Sequence, residues 1–175
     1  GTLVLTGASA PDGGTTVEAG VLNIGGGGPT GSLAGNINSS TSVVFDRTGT
    51  LVYDGVISGA CSLTKRGSGT VILTASQAYT GPTTVEAGVL QLGDGGVGGW
   101  IDADMTVSGT VSFSHSTSLT YGHAISGSGS LAVFGAGTLT LTGNNAYTGW
   151  TTIGGTVAVG NGGTTGTIGS TANDA

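Results

Sequence analysis

Apolar and polar residues alternate along this chain in short runs. In Gly137-Thr-Leu-Thr-Leu-Thr-Gly143, leucine occupies every second inner position and threonine the positions between. A period of two places alternate side chains on opposite faces of a strand, so that one face is buried and the other is wet. Glycine interrupts almost every stretch, and no window has apolar residues at the spacing of a helix. The pattern predicts an all-β protein of short strands rich in Val, Thr, Leu and Ile.

The same pattern recurs at a fixed 68-residue interval. The run that begins at Gly1 returns at Gly69 and again at Gly137. In the second half of the unit, Phe45 matches Phe113 in the next copy. Self-similarity on this scale is typical of a repeat architecture, in which each unit buries its apolar face against its neighbours.

The repeat divides the chain into two full copies and a partial one. They cover residues 1–68, 69–136 and 137–175. We expect residues 1–175 to form one β-helix without further domains. Because the chain starts and stops within a repeat, we also expect it to be a fragment of a longer protein.

Two all-β architectures fit such strands. One is a sandwich or barrel of antiparallel hairpins, and the other is a parallel β-helix. The fixed period favours the helix, because each coil then stacks on a similar coil. A 68-residue unit divides into three coils of about 22–23 residues, a usual size for a three-sided solenoid. We therefore predict a right-handed parallel β-helix, a three-sided β-solenoid.

Charge is scarce in this chain. Of its 175 residues 38 are Gly and only 7% are charged, with a formal net charge of −6. Its cations are Arg47, Lys65 and Arg66. Nucleic-acid binding needs clustered Lys and Arg to neutralise phosphates, so no nucleic-acid partner is expected. Docking to anionic lipid is disfavoured for the same reason.

Two segments share a longer motif. It reads Leu-x-Leu-x-Gly-x-Asn-x-Tyr-x-Gly-x-Thr from Leu139 to Thr151, with a close counterpart before Thr83. Both segments resemble the passenger-associated transport repeat, also called the autotransporter-associated β-strand repeat. Residues 1–25 are a degenerate copy, in which Pro11 and Asp12 replace the Tyr-Thr of the motif. The residues that carry the resemblance are Gly69, Leu73, Tyr79, Gly81, Thr83, Val85, Gly88, Leu90, Gly137, Leu139, Leu141, Asn145, Tyr147, Gly149 and Thr151.

The resemblance implies a parallel β-helix in the secreted passenger of a Gram-negative autotransporter. Such a passenger is displayed at the cell surface and anchored through its own C-terminal outer-membrane β-barrel translocator, which lies outside this chain. The resemblance implies no catalytic residue and no cofactor. We expect a structural segment that promotes folding-coupled secretion, with the outer-membrane assembly machinery as a further partner. The alternative is an adhesin module that binds a host-surface glycan or matrix ligand.

Residues that suggest other chemistry fit structural roles better. Gly93-Asp-Gly-Gly-Val-Gly98 matches a dinucleotide-binding pattern but opens no helix, so we interpret it as a glycine-rich corner. Asp94, Asp102 and Asp104 lack the tandem spacing of a calcium repeat.

The histidines and the single cysteine point to no chemistry either. His115 and His123 have no partner at metal-ligand spacing and are expected in a surface or groove position. Cys61 is expected to be a small buried or half-buried strand residue. The sequence therefore predicts no catalytic, cofactor or metal site, and no enzyme.

Two tryptophans stand apart from the repeat. Trp100 and Trp150 have non-aromatic counterparts in the preceding copy, Ser32 and Pro82. A side chain outside the repeat is free of the structural role that the repeat imposes. We therefore select both tryptophans as candidates for a specific surface contact.

Overall fold

A computed structural model describes residues 1–160, 162 and 166–169, and every regular element in this part of the chain is a β-strand. The same residues include no helix that is long and apolar enough to cross a membrane. The strands, in chain order, are β1 (Thr2–Leu5), β2 (Ala8–Ser9), β3 (Thr15–Val17), β4 (Val21–Gly25), β5 (Ser32–Leu33), β6 (Ile37–Ser39), β7 (Ser42–Asp46), β8 (Leu51–Tyr53), β9 (Ile57–Gly59), β10 (Ser62–Arg66), β11 (Thr70–Leu73), β12 (Ala78–Tyr79), β13 (Thr83–Val85), β14 (Val89–Leu92), β15 (Met105–Val107), β16 (Thr110–Ser114), β17 (Leu119–Tyr121), β18 (Ile125–Gly127), β19 (Ser130–Phe134), β20 (Thr138–Leu141), β21 (Ala146–Tyr147), β22 (Thr151–Ile153) and β23 (Thr156–Val159).

The strands form three faces around a common axis. Face 1 is a continuous eight-stranded sheet in the order β1-β4-β7-β10-β13-β15-β18-β21. Face 2 consists of the pair β2-β5 and of a six-stranded sheet that runs from β8 through β11, β14, β16 and β19 to β22. Face 3 consists of the sheets β3-β6-β9-β12 and β17-β20-β23. Successive strands on each face pair in parallel, which gives eight coils and confirms the predicted all-β parallel β-helix.

Most coils are slightly shorter than the sequence suggested. Most paired residues are 20 positions apart, as Val43 and Leu63 are, and the longest separation is the 24 positions between Ala8 and Ser32. The prediction of about 22–23 residues per coil is therefore too long for most coils, because it assumed that one repeat contains a whole number of coils. Three short strands, joined by short glycine-rich corners, are enough to close a coil at the observed spacing.

The 68-residue repeat therefore spans three coils and one further side. β1 lies on face 1, its counterpart β11 lies on face 2, and β20 in the third copy lies on face 3. The counterparts β3, β13 and β22 shift in the same direction, from face 3 to face 1 to face 2. Each copy is thus rotated by one face relative to the copy before it. Equivalent strands do not stack on one another, and any surface feature of the repeat winds around the rod.

The core is a set of apolar columns along the axis. On face 1, Leu22, Val43 and Leu63 are paired in consecutive coils and are almost completely buried. Aromatic rings fill the wider part of the interior, where the ring centroids of Phe45 and Tyr53 lie 5.5 Å apart. Burial of apolar surface contributes about 25 cal/mol per Å². No coil buries its own interior, so each depends on its neighbours for stability.

Two equivalent loops interrupt the stack. The first loop, residues 26–31, lies directly before β5, and face 2 is interrupted between β5 and β8. The second loop, residues 93–104, follows β14. It takes the place of a face 3 strand in the fifth coil, which contains β13 and β14. Arg47 Nη2 donates to Pro29 O at 2.7 Å across the first loop, and His115 Nε2 lies 3.0 Å from Gly99 O across the second. His115 is buried, so its expected surface or groove position is wrong. The chain bulges at these corners, and the imidazole fills the space under the bulge.

Candidate functional site

The repeat motif forms a polar cluster within the core of the β-helix. Tyr79 OH lies 2.6 Å from Thr83 Oγ1, and Tyr147 OH lies 2.7 Å from Thr151 Oγ1. Both tyrosines are almost completely buried, and burial raises the pKa of each phenol above its usual value. Each hydroxyl pair satisfies two polar groups that would otherwise be left unpaired in an apolar interior. Tyrosine and threonine four residues apart therefore stabilise one corner of the second repeat and one corner of the third.

An amide side chain in the motif links neighbouring coils. Asn145 Oδ1 accepts a hydrogen bond from Ile125 N at 2.9 Å, and its Nδ2 donates to Gly143 O at 3.2 Å. Gln77, the counterpart one repeat earlier, accepts from Ile57 N at 2.7 Å. Both amides are buried. They supply backbone hydrogen bonds at a corner where the strand ladder is interrupted.

The motif glycines lie where one coil crosses closely over the next. A Cβ atom at Gly81 would be 2.3 Å from Cys61 O, and one at Gly149 would be 2.3 Å from Gly129 O. A side chain at either position requires the backbone to move. These glycines therefore set the spacing of the coils at the corner.

The apolar members of the motif point into the core. Leu73, Val85, Leu90, Leu139 and Leu141 are all buried. The residues of the repeat motif, which are these apolar side chains with the tyrosines, amides and glycines, therefore make contacts between coils. The motif offers no open cleft in which a substrate would meet several of these side chains.

Trp100 and Trp150 lie on different parts of the surface. Trp100 is 37% exposed, in the strandless segment of coil 5, and its carbonyl oxygen accepts a hydrogen bond from Gln77 N at 2.9 Å. Trp150 is 59% exposed and immediately precedes β22 on face 2. The two indoles therefore belong to separate surfaces. The exposed aromatic residue on the same face as Trp150 is Phe134, at the end of β19, which the sequence pattern did not single out.

Asp102 and Asp104 form a small surface cluster with His123. His123 Nε2 lies 2.6 Å from Asp102 Oδ1, and His123 Nδ1 lies 3.6 Å from Asp104 Oδ1. Asp94 instead accepts a hydrogen bond from Gly96 N within its own loop at 3.1 Å. In the described part of the chain, no group of three or more His, Cys, Asp or Glu side chains is arranged to hold a metal ion. The cluster ties coil 5 to coil 6 at the surface.

The three cations are all engaged. Lys65 is completely buried, and its Nζ donates to the carbonyl oxygens of Arg66 and Gly67 at 2.6 and 2.8 Å and to Ala87 O at 3.1 Å. Burial lowers the pKa of Lys65 to about 8, and the nearby Asp46 carboxylate partly offsets this.

Arg66 pairs with Glu86 at 2.9 Å on the surface, and Arg47 is buried at its loop. The sequence contains a signal that position 65 is interior, because the apolar Val133 occupies the equivalent position in the next copy and is itself buried. Cys61 is buried directly before β10, and burial raises the pKa of its thiol. A buried thiol with a raised pKa is poorly suited to act as a nucleophile.

Comparison with known proteins agrees with this arrangement. Residues 1–24, 63–92 and 131–159 match the family model described as Passenger-associated-transport-repeat. A stretch of 84 residues is 48% identical to the adhesin BmaC autotransporter of Brucella suis biovar 1 (strain 1330). That alignment covers 48% of this chain and 2% of the relative, so the chain spans a small part of the relative's length. No solved structure matches the chain.

The resemblance seen in the sequence is thereby confirmed. Three segments of the chain match the passenger-associated transport repeat, and these matches, together with the relative, support an autotransporter passenger repeat region. The same findings support a protein that is displayed at the cell surface and anchored in the outer membrane.

Proposed function

We propose that this chain is a structural segment whose coil-by-coil folding outside the cell promotes secretion of the passenger to which it belongs. The observation that carries the proposal is the position of the motif. Its tyrosines, amides, glycines and leucines all make contacts between coils, as Asn145 does with Ile125. A motif built for coil-to-coil contact fits a role in assembling the rod.

The driving force is burial of the interior. An unfolded passenger leaves the apolar columns exposed, and each new coil covers the interior of the last. The gain of about 25 cal/mol per Å² of apolar surface offsets the loss of chain entropy and disfavours return through the membrane. The low charge and the single cysteine suit export of an unfolded chain, because no intrachain disulfide can form early.

The partners follow from this role. The passenger's own C-terminal outer-membrane β-barrel would act as translocator, with the outer-membrane assembly machinery as a second partner. We assign no catalytic activity to this segment, and the relative's name, an adhesin, is consistent with that.

The test is surface export of the parent passenger with and without residues 1–175. An N-terminal tag is quantified on intact cells and again after permeabilisation. Loss of surface signal with the tag retained inside supports the proposal. Full export of the deletion variant contradicts it.

A second candidate is an adhesive module. It is favoured by the adhesin relative and by the exposed aromatic side chains on face 2. Under this candidate, the deletion variant is exported normally while the cells lose attachment to host surfaces. The same export assay, followed by an attachment assay, separates the two candidates.

A further inference from the structure

The six-stranded sheet of face 2 carries no charged residue. None of β8, β11, β14, β16, β19 and β22 includes Asp, Glu, Lys or Arg. Face 1, by contrast, brings Asp46 and Arg66 together at the ends of adjacent strands, and Arg66 pairs with Glu86, which directly follows β13. In a chain with a net charge of −6, face 2 is therefore a broad neutral surface.

Hydroxyl and small side chains cover this surface in register. Thr70, Val89, Thr110 and Ser130 pair in consecutive coils and form one column of partly exposed residues. Neighbouring residues in such a column are about 4.8 Å apart. Three of the four residues offer a hydroxyl group that can donate and accept hydrogen bonds, and Val89 is the apolar member of the column.

Two exposed aromatic side chains flank the last two coils of the same face. Phe134 ends β19 and is 45% exposed, and Trp150 precedes β22 and is 59% exposed. Trp150 N donates to Ser130 Oγ at 3.1 Å, which places it beside the first residue of β19. A strand rises about 3.3 Å per residue, so the backbone positions of the two residues are offset by roughly 13 Å along the strand direction. Between them lie only Ala132 and Thr152, which are paired with each other.

The Phe134 ring lies along the next coil. A Cβ atom at Gly154 would be 2.6 Å from Phe134 Cδ1, so the ring covers that glycine. In the preceding copy, the same two positions hold Arg66 and Glu86, which form an exposed ion pair. One 68-residue period later, a flat apolar ring has thus replaced the charged pair.

These features fit a neutral sugar chain. Aromatic rings stack on the C–H face of a sugar, and threonine and serine hydroxyls bond to its hydroxyl groups. Anionic sugars need a free cation, and among the described residues Lys65 and Arg47 are buried while Arg66 is paired.

We propose that the surface formed by Ser130, Ala132, Phe134, Trp150 and Thr152, here called the aromatic end of face 2, binds a neutral glycan. This inference rests on the adhesive candidate above and is independent of the secretion proposal.

The test uses the 175-residue chain and immobilised neutral hexose oligosaccharides of several lengths. Sialylated oligosaccharides, sulfated oligosaccharides and extended peptides serve as competing probes. We expect saturable binding to neutral sugars, and a loss of affinity of tenfold or more in Trp150→Ala and in Phe134→Ala. The Trp100→Ala variant is the matched control and should bind as the parent does, because Trp100 lies elsewhere on the rod.

Circular dichroism and thermal unfolding are recorded for every variant. Trp150 is exposed, so its replacement is expected to leave the fold intact. A folded chain that binds no neutral sugar overturns the inference, and so does binding restricted to charged sugars or to peptides. Equal losses in Trp100→Ala and Trp150→Ala also overturn it. None of these outcomes bears on secretion, which the export assay decides.

Discussion

The side-chain oxygen of Asn145 lies 2.9 Å from the backbone nitrogen of Ile125, in the coil before its own. One repeat earlier, the oxygen of Gln77 lies 2.7 Å from the nitrogen of Ile57. The two amides differ by one methylene and sit on different faces of the rod, yet each completes the same backbone hydrogen bond. The contact therefore belongs to the repeat and is independent of the face on which it occurs.

Replacing Asn145 with Ala is expected to destabilise the chain. The buried N–H of Ile125 would lose its acceptor, which costs about 1–3 kcal/mol. Urea unfolding at equilibrium measures the change. Asn144→Ala is the matched control, since Asn144 is exposed and its loss should change stability by less than about 0.5 kcal/mol. Equal effects of the two substitutions would show that the amide contact is dispensable.

Gly127→Ala is expected to destabilise the chain severely. The φ of Gly127 is +104°, and an added Cβ would lie 2.3 Å from Val107 O. A non-glycine residue in such a conformation costs about 1–3 kcal/mol, and the backbone clash adds to this. Thermal unfolding compares it with Gly13→Ala, where nothing lies within 4 Å of the added atom. A similar midpoint for both variants would argue against close coil contact at Gly127.

Lys65 is expected to make stability depend on pH. Its folded pKa is about 8, against 10.5 for a free lysine. Between these values the unfolded chain binds more protons than the folded chain, so the free energy of unfolding should rise as the pH increases from about 8 to about 10. Lys65→Val, which copies the residue at position 133, should lack this rise.

The readout for Lys65 is the difference between parent and variant in urea unfolding across that range. The buried tyrosines titrate in both proteins, so their contribution cancels in the difference. If the free energy of unfolding depended on pH in the same way in both proteins, Lys65 would have an ordinary pKa and be in contact with water.

Replacing both Leu139 and Leu141 with Asp is expected to abolish the core of the third repeat and reduce surface display. Both leucines are buried, and an unpaired carboxylate there is far more costly than at the surface. Replacing both Thr138 and Thr140 with Asp places the same two charges on the outer side of the same strand and serves as the control. Display is measured with the tagged parent passenger. Undiminished display of the double variant would count heavily against the secretion proposal.

Deleting residues 69–136 is expected to leave a cooperative, shorter β-helix. The deletion removes one whole repeat, so β20 would follow β10 and occupy face 2, as β11 does in the parent. The strand sequences suit any face, because each has an apolar inner side and a polar outer side. Circular dichroism and a single unfolding transition would check this. A shorter chain that is unfolded would show that strands are specific to their face.

The sequence alone determined the class of fold and the residues of the repeat. Strict alternation in Thr138–Leu141 predicts a strand with one buried side, and the regular glycines predict corners. The 68-residue period predicts stacked coils, since similar units bury similar faces against one another. These features are local or periodic, so they can be read directly from the order of residues in the chain.

Only the tertiary structure decided the length of the coil and the phase of the repeat. Closure of a coil depends on how three strands and their corners meet in space. No local sequence pattern indicates that one repeat is longer than three coils by one further side. The buried Lys65 and His115 each have a polar contact with a backbone oxygen that is distant in sequence, of Ala87 and of Gly99 respectively. The presence of Phe134 and Trp150 on one neutral face has the same origin. Strand register brings distant residues together, and register is a property of the folded stack.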